Sequence, residues 1–146
     1  MSIQSIFSGL LLFVLLVSCE SKKNTSDSSD LLSSFYNTSW ELDSWKSESE
    51  MKELFTMQTI HLLFDDQKQQ LSGNDGCNDF FAGFKLDGEK LNVGPTGGTK
   101  KYCGDESAKD ERAFTHFLEQ NIRAEMNGKK LQLSSTTEVL IFKAKN

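Results

Sequence analysis

The segment Asn74–Phe84, "NDGCNDFFAGF", carries the residue types most suggestive of chemistry in this chain. It places Cys77 between Gly76 and Asn78, with acidic residues close by. A cysteine in such a setting has four possible roles: a nucleophile, a metal ligand, half of a disulfide, or part of a tight turn. Each role requires particular partners elsewhere in the sequence.

A nucleophilic cysteine needs a histidine to activate it, and the chain contains two, His61 and His116. His61 alternates with apolar residues and is expected to face outward from a strand, whereas His116 falls among helix residues. A zinc site could combine both histidines with Cys77 and Cys103, but the sequence has no C-x-x-C or H-x₃-H spacing. We therefore expect no catalytic residue, no metal site and no cofactor.

Two polar patterns also have simpler structural explanations. The segment "GPTGGTKK" lacks the spacing of a phosphate-binding loop, so we interpret it as an ordinary loop. The acidic pairs Asp75/Asp79 and Asp65/Asp66 could form an acid–base pair or bind calcium. They do not follow the spacing of a calcium loop, however, and both lie in turn-rich segments where aspartate is common.

The chain holds 11 phenylalanines, a heavy aromatic load for a small domain. Phe80, Phe81 and Phe84 could line a pocket for an apolar ligand. Packing in the core is the simpler explanation for them.

Alternating apolar residues predict the elements that position these groups. Short strands are expected around Trp40, over Ile60–Phe64, and on both sides of Asp87-Gly88, where the pattern predicts a type I′ hairpin. "KLQLSS" and "VLIFKA" predict a closing hairpin.

One helix is expected before that hairpin, from Ser107 to about Met126. Ser107 and Asp110 resemble a capping box at its start, and Asn127-Gly128 would end it. The predicted fold class is mainly β (α+β): a small antiparallel, barrel-like curved sheet with one α-helix inserted before the last hairpin.

The N-terminal apolar run Ile6–Val17 is about a dozen residues long, which is too short for a permanent transmembrane helix and typical of a signal peptide. It ends in "LVSC", the pattern of a bacterial lipobox, so Cys19 is expected to carry the lipid anchor. We predict a lipoprotein signal peptide over 1–18, a flexible tether over 19–34, and a folded domain over 35–146. Glu20 after the lipidated cysteine favours the outer membrane.

The remaining cysteines, Cys77 and Cys103, would form a pair in an oxidising compartment. They are 26 residues apart (103 − 77), and spacing alone does not show whether they come within bonding range. The net charge of −5 on 146 residues gives no reason to expect nucleic-acid binding.

The segments "SGNDGCNDFFAGF", "TKKYC" and "ERAFTHFLEQ" together resemble the META/HslJ domain family of bacterial lipoproteins. The residues that match the family motif are Gly73, Gly76, Cys77, Asn78, Thr99 and Cys103. This chain departs from the family pattern at Ala82 and Phe84, where the family often has glycine and a terminal tyrosine. The resemblance implies a compact antiparallel β barrel with one helix and a disulfide between Cys77 and Cys103. It also implies links to heat shock, antibiotic resistance or virulence, with no established catalytic activity.

From these features we expect a monomeric, lipid-anchored cell-envelope protein on the periplasmic side of the outer membrane. It would contact the membrane through Cys19 and act as a non-enzymatic interaction or stress-related module, with envelope proteins as partners. The alternative is a binder of a small apolar ligand in an aromatic-lined cavity of the barrel.

Overall fold

A computed structural model describes residues 33–48 and 50–145 of the chain. The expected signal peptide, the lipidated Cys19 and nearly all of the expected tether lie outside these residues and remain predictions. Within the described ranges, no helix has the length and hydropathy needed to cross a bilayer.

Ten strands and one long helix make up the regular structure of the described residues. In chain order they are β1 Ser39–Ser47, β2 Glu50–Met51, β3 His61–Asp65, β4 Gln70–Asn74, β5 Asp79–Asp87, β6 Lys90–Val93, β7 Gly97–Gly98, α1 Asp105–Leu118, β8 Ile122–Asn127, β9 Lys130–Ser134 and β10 Glu138–Ala144.

Eight of these strands form a closed antiparallel barrel. Their order is β10-β9-β8-β6-β5-β4-β3-β1, and β1 pairs back to β10 to close the ring. The two-residue strands β2 and β7 extend the edges of β1 and β5. An eight-stranded barrel has an interior just wide enough for side chains to fill. The expected mainly β, barrel-like fold with a helix before the last hairpin is confirmed.

Aromatic side chains fill the interior of the barrel. Along β5, Phe80, Ala82 and Phe84 are buried and the residues between them are exposed, as the two-residue period of a strand requires. The ring of Phe84 lies 5.2 Å from that of Phe64, measured between centroids. Phe81 has the opposite parity and is 54% exposed, so it is not part of the core.

Strand β1 turns two tryptophans into the same interior although they are an odd number of residues apart. Trp40 and Trp45 are each 1% exposed. The pairing of β1 with β10 shifts register between Leu42 and Ser44, which marks a β-bulge. The extra residue reverses the alternation, so side chains on both sides of the bulge reach the core.

The helix is shorter than the sequence pattern predicted. It begins after Gly104 and ends at Leu118, and Ile122–Asn127 form strand β8 instead of its last turns. Ile122, Ala124 and Met126 alternate with polar residues, and pairing with β9 buries the first two of them in the barrel. The expected capping box is also wrong, since the helix has no side-chain cap.

Two hairpins have turns that begin one residue later than a simple pattern predicts. The β5–β6 loop is Gly88-Glu89, because Asp87 pairs with Lys90. Gly88 has a φ of 59° and Glu89 has no positive φ, so the turn has the glycine placement of type II′ and not the expected type I′. Asn127 belongs to the β8–β9 hairpin and does not end the helix.

Candidate functional site

The turn between β4 and β5 is covalently tied to the segment that precedes α1. Cys77 and Cys103 form a disulfide, and their Cα atoms are 6.0 Å apart. Cys77 is 1% exposed. Its sulfur is therefore neither a free nucleophile nor an available metal ligand in this structure.

The polar side chains of the turn are used by its own backbone. The Oδ1 atom of Asp75 accepts hydrogen bonds from the N–H groups of Cys77 and Asn78, at 3.0 and 2.7 Å. Asn74 accepts one from the N–H of Gly76 at 2.9 Å. These are the local bonds by which Asp and Asn stabilise tight turns. Asp75 is buried and committed to the turn, so it is not paired with Asp79 as an acid–base couple.

Gly76 is required by both the backbone and the packing of this turn. Its φ is +102°, a conformation that side chains with a Cβ rarely adopt. A Cβ atom at this position would lie 2.4 Å from a methyl carbon of Thr56. Gly73 is constrained by packing alone, because a Cβ at this position would lie 1.9 Å from the carbonyl oxygen of His61.

Asn78 joins three separate parts of the chain and is 2% exposed. Its Oδ1 atom accepts hydrogen bonds from Thr99 Oγ1 at 2.8 Å and from the N–H of Lys101 at 2.7 Å. Its Nδ2 atom donates to Glu111 Oε2 at 3.2 Å and to the carbonyl oxygen of Lys101 at 3.4 Å. A side-chain amide has two donors and one double acceptor, so Asn78 is fully used.

A second buried polar contact is made by Asp110, which the sequence pattern indicated only as a capping residue. Asp110 is 4% exposed; one of its oxygens lies 3.2 Å from Lys52 Nζ, and the other accepts a hydrogen bond from the N–H of Phe55 at 2.7 Å. These contacts attach the irregular connection between β2 and β3 to the helix. The acidic residue gave no distinguishing signal in the sequence, because aspartate near a helix start normally indicates capping.

The remaining candidates for chemistry are dispersed over the surface. His61 lies half-buried on β3 and His116 is exposed on α1. Asp65 accepts hydrogen bonds from the backbone N–H of Lys68 and from its ammonium, and these bonds lower the pKa of the Asp65 carboxyl. In residues 33–48 and 50–145, no group of three or more His, Cys, Asp or Glu side chains could hold a metal ion.

The predicted aromatic pocket residues do not act together. Phe84 packs inside the barrel against Phe64 and Tyr36, and Phe80 packs against Phe114 at 5.9 Å between ring centroids. Phe81 lies outside, with its ring over Gly97 of the neighbouring strand β7. The interior position of these rings favours core packing over a ligand cavity.

A surface cleft of about 380 Å³ lies beside the motif residues. The segment 96–100 forms one wall and the exposed side of α1 forms the other, while the nearly buried Phe80 also lines it. The cleft is lined by four side chains from α1 and by the residue that caps its C-terminus: Glu111, Arg112, Thr115, His116 and Glu119. No sequence motif indicates this cleft, because its two walls meet only in the folded chain.

Comparison with known proteins agrees with this architecture. A protein from Burkholderia xenovorans, solved by NMR, is 24% identical, with 80% of this chain and 88% of that chain covered and a TM-score of 0.66. A DUF4847 family protein from Bacteroides vulgatus, solved by crystallography, is 12% identical, with coverages of 75% and 93% and a TM-score of 0.54. At such identities the similarity shows the fold alone. A search among curated proteins finds no match.

The model of the META domain matches residues 32–146, which is most of the chain. The match includes the Gly-Cys-Asn turn, the disulfide and the helix described above. The chain therefore belongs to the META domain family.

Proposed function

We propose that this protein is a lipid-anchored envelope protein whose META domain is a non-enzymatic interaction module. Its place would be the periplasmic side of the outer membrane, in the setting of heat shock, antibiotic resistance or virulence to which the family resemblance points. The observation that carries the proposal is that the side chains of the family motif hold the fold together through a disulfide and hydrogen bonds. Cys77 and Asp75 are the motif residues whose types could do chemistry, but both are committed to holding the fold, as is the motif residue Asn78.

The anchoring part of the proposal rests on the sequence. The apolar run Ile6–Val17 and the lipobox ending at Cys19 favour export and lipidation. A disulfide between Cys77 and Cys103 is consistent with an oxidising compartment outside the cytosol. Several acyl chains on one cysteine would give stable attachment, at about 0.8 kcal/mol for each buried CH₂ group.

The interaction part of the proposal rests on the contrast between core and surface. The barrel interior is occupied by packed rings, whereas three large apolar side chains of the β2–β3 region, Met51, Phe55 and Met57, are exposed. All three lie within one stretch of seven residues along the chain, and large exposed apolar surface commonly marks a contact site. The same filled interior gives less support to the alternative of a small apolar ligand inside the barrel.

The proposal can be tested in the native host by replacing the chromosomal copy with the full-length chain or its Cys19→Ala variant. Living cells are treated with a bifunctional lysine cross-linker, and membranes are then fractionated. The unaltered protein is expected in the outer-membrane fraction and in one discrete cross-linked adduct. Cys19→Ala should leave that fraction and lose the adduct.

Two results would count against the proposal, each on a different point. An unchanged membrane distribution of Cys19→Ala would refute anchoring through that residue. A protein that remains free of adducts, under conditions that link a known envelope pair in the same cells, would refute the interaction role. The matched control is Ser18→Ala, which keeps a small residue before the lipidated cysteine and should leave the membrane distribution unchanged.

A further inference from the structure

Strand β2 ends the sheet and has a partner strand on one side only, which is β1. Met51 lies opposite Lys46, and the N–H of Lys52 donates to the carbonyl oxygen of Trp45 at 2.8 Å. Because residues of an antiparallel strand bond to the partner strand alternately, the N–H and C=O of Met51 point away from β1. Among residues 33–48 and 50–145, none forms a hydrogen bond with these two groups.

A pocket of about 560 Å³ opens beside this edge, between the ends of three strands and helix α1. Glu138 on β10, Ser47 on β1 and Glu50 on β2 lie directly opposite one another in neighbouring strands. Residues that are directly opposite share one face of a sheet, so the carboxylates of Glu138 and Glu50 lie on the same side. Both line the pocket, and Ala113 lines it from the helix.

The pocket has an excess of negative charge. Glu48, Glu50 and Glu138 line it, and none of the three forms an ion pair within the part of the chain that the structure describes. Lys52 also lines it, but its ammonium is already paired with the buried Asp110 at 3.2 Å. Three carboxylates therefore remain without a compensating cation in the lining.

The charged neighbours of the pocket do not remove this excess. Lys46 adds one positive charge opposite Met51, and the exposed Glu53 adds one negative charge after Lys52. Arg112 precedes Ala113 on the helix and lines the other cleft, so it contributes at most one more positive charge. With all of these groups included, the carboxylates still outnumber the cations.

Exposed apolar side chains lie next to the acidic pocket. Met51 is 61% exposed and follows Glu50 directly, so the two side chains leave the strand on opposite faces. Phe55 is also exposed, and its N–H donates to Asp110, the carboxylate that holds Lys52. The chain from 52 to 55 is thus attached to one point of α1, which keeps Phe55 beside the pocket. Methionine and aromatic residues are enriched at protein–protein interfaces.

The charge of this surface decides between the possible occupants. A second copy of the chain would bring the same carboxylates together, and an anionic membrane surface would be repelled by them. A segment that carries lysine or arginine is attracted instead. Because the acidic and apolar side chains of β2 lie on opposite faces, the matching strand alternates basic and apolar residues.

We propose that a basic, extended segment of another exported protein adds to β2 as a strand. Its peptide groups would bond the N–H and C=O of Met51, its basic side chains would enter the pocket, and its apolar side chains would cover Met51. The inference rests on the proposed function, since it names the partner class of an interaction module. Its test uses purified components, so it can fail while anchoring and cross-linking in cells still hold.

The experiment uses the full chain as cells process it, labelled with ¹⁵N, purified in a zwitterionic detergent and titrated with defined peptides. The first probe is a capped hexapeptide of alternating valine and lysine. The second has the same side chains with every peptide nitrogen methylated, and the third has glutamate in place of lysine. The basic probe is expected to give saturable shifts at the amides of 46–48 and 50–53. The methylated probe should give none, and the glutamate probe should bind at least tenfold more weakly.

Charge reversals on the protein test the side-chain part of the proposal. Glu48→Lys and Glu50→Lys are expected to weaken binding of the basic probe at least fivefold each. The matched control is Asp87→Lys at the end of β5, which makes the same charge change at an exposed position outside the pocket and should alter affinity less than twofold. Circular dichroism checks that each variant keeps its fold.

Several results would overturn the proposal. They are an absence of saturable shifts at millimolar basic probe, equal binding of the methylated probe, or shifts centred on another surface. Shifts of Met51 that depend on protein concentration without any peptide would also overturn it, because they would show that a second copy occupies the edge. An equal loss of affinity in Asp87→Lys would overturn it as well, because only the overall charge would then matter.

Discussion

Truncation of Asn78 is predicted to be costly, because its side chain joins three parts of the chain. Replacing it by alanine removes an acceptor for Thr99 and Lys101 and a donor to Glu111. Two short neutral hydrogen bonds are worth about 1 kcal/mol each, and one to a carboxylate about 1.5 kcal/mol or more. Thr99 and Lys101 are exposed, so water replaces part of the hydrogen bonding that they lose and makes the total smaller than the sum. We therefore expect Asn78→Ala to lower the free energy of unfolding by about 3 kcal/mol.

The loss can be measured by urea denaturation followed by tryptophan fluorescence. Trp40 and Trp45 are each 1% exposed, so their emission reports the opening of the barrel core. The matched control is Asn92→Ala on β6, where the side chain is exposed and the expected change is within about 0.5 kcal/mol. A loss below about 1 kcal/mol for Asn78→Ala, or one equal to the control, would show that the hydrogen bonds of Asn78 do not stabilise the fold as predicted.

The nearly isosteric Asn78→Asp variant separates hydrogen bonding from packing. It keeps the volume of the side chain but replaces the donor to Glu111 by a second carboxyl oxygen. Repulsion from Glu111 raises the pKa of the new carboxyl in the folded state, so the folded protein binds more protons than the unfolded one. Stability of this variant should therefore fall as pH rises through that pKa, relative to Asn78→Ala. Parallel profiles for both variants would contradict the geometry.

Three further predictions concern other contacts. Replacing Cys77 and Cys103 together by serine should lower the free energy of unfolding by about 3 kcal/mol in the chain-entropy model, measured by urea denaturation. Asp110→Ala should cost about 2 kcal/mol, because a backbone N–H and an ammonium lose their buried acceptor, and amide exchange over 52–58 should become faster. NMR titration should place the pKa of Asp65 below its ordinary value, and Lys68→Ala should return it only part of the way. The stabilisation from this carboxylate is present above its unfolded-state pKa and is lost as pH falls through its lower folded-state pKa.

Each of these predictions has a result that would contradict it. Alkylation of both domain cysteines without reductant would exclude the disulfide from the purified protein. An Asp110→Ala variant as stable as Glu106→Ala, a change at an exposed helix carboxylate, would show that the buried contact contributes nothing. A carboxyl of Asp65 that titrates at its ordinary pKa, or is unaffected by Lys68→Ala, would contradict the hydrogen bonds of that turn.

The architecture was predictable where one short-range pattern governs the local structure. The two-residue alternation of Phe80, Ala82 and Phe84 indicates a strand with one buried face, and that face is confirmed. The closing hairpin was predictable for the same reason. The resemblance in the Gly-Cys-Asn and Thr-Lys segments added the pairing of Cys77 with Cys103, which spacing alone had left open.

The errors lie where long-range pairing decides the structure. Ile122–Asn127 has good helix formers, but its alternation allows pairing with β9, and the barrel gains more from that strand than from another helical turn. The bulge in β1 is also invisible in the sequence, because it is defined by the register with β10. The walls of the cleft come from segments that only tertiary packing brings together, so no local motif could reveal it.

Asn78 connects the family motif to both walls of the cleft, so a residue that stabilises the fold also sets the shape of a surface that could bind a ligand. Asn78 bonds Thr99 and Lys101, which continue the β7 wall, and also Glu111 on the helix wall. The disulfide holds the same segment just before α1 begins. Because both walls are attached to one buried amide, their separation is set by the turn and not by the ligand. A pre-formed cleft loses less entropy on binding than a mobile one, so weakening the Asn78 contacts should reduce the affinity of any molecule that binds between these walls, even where the cleft surface is unchanged.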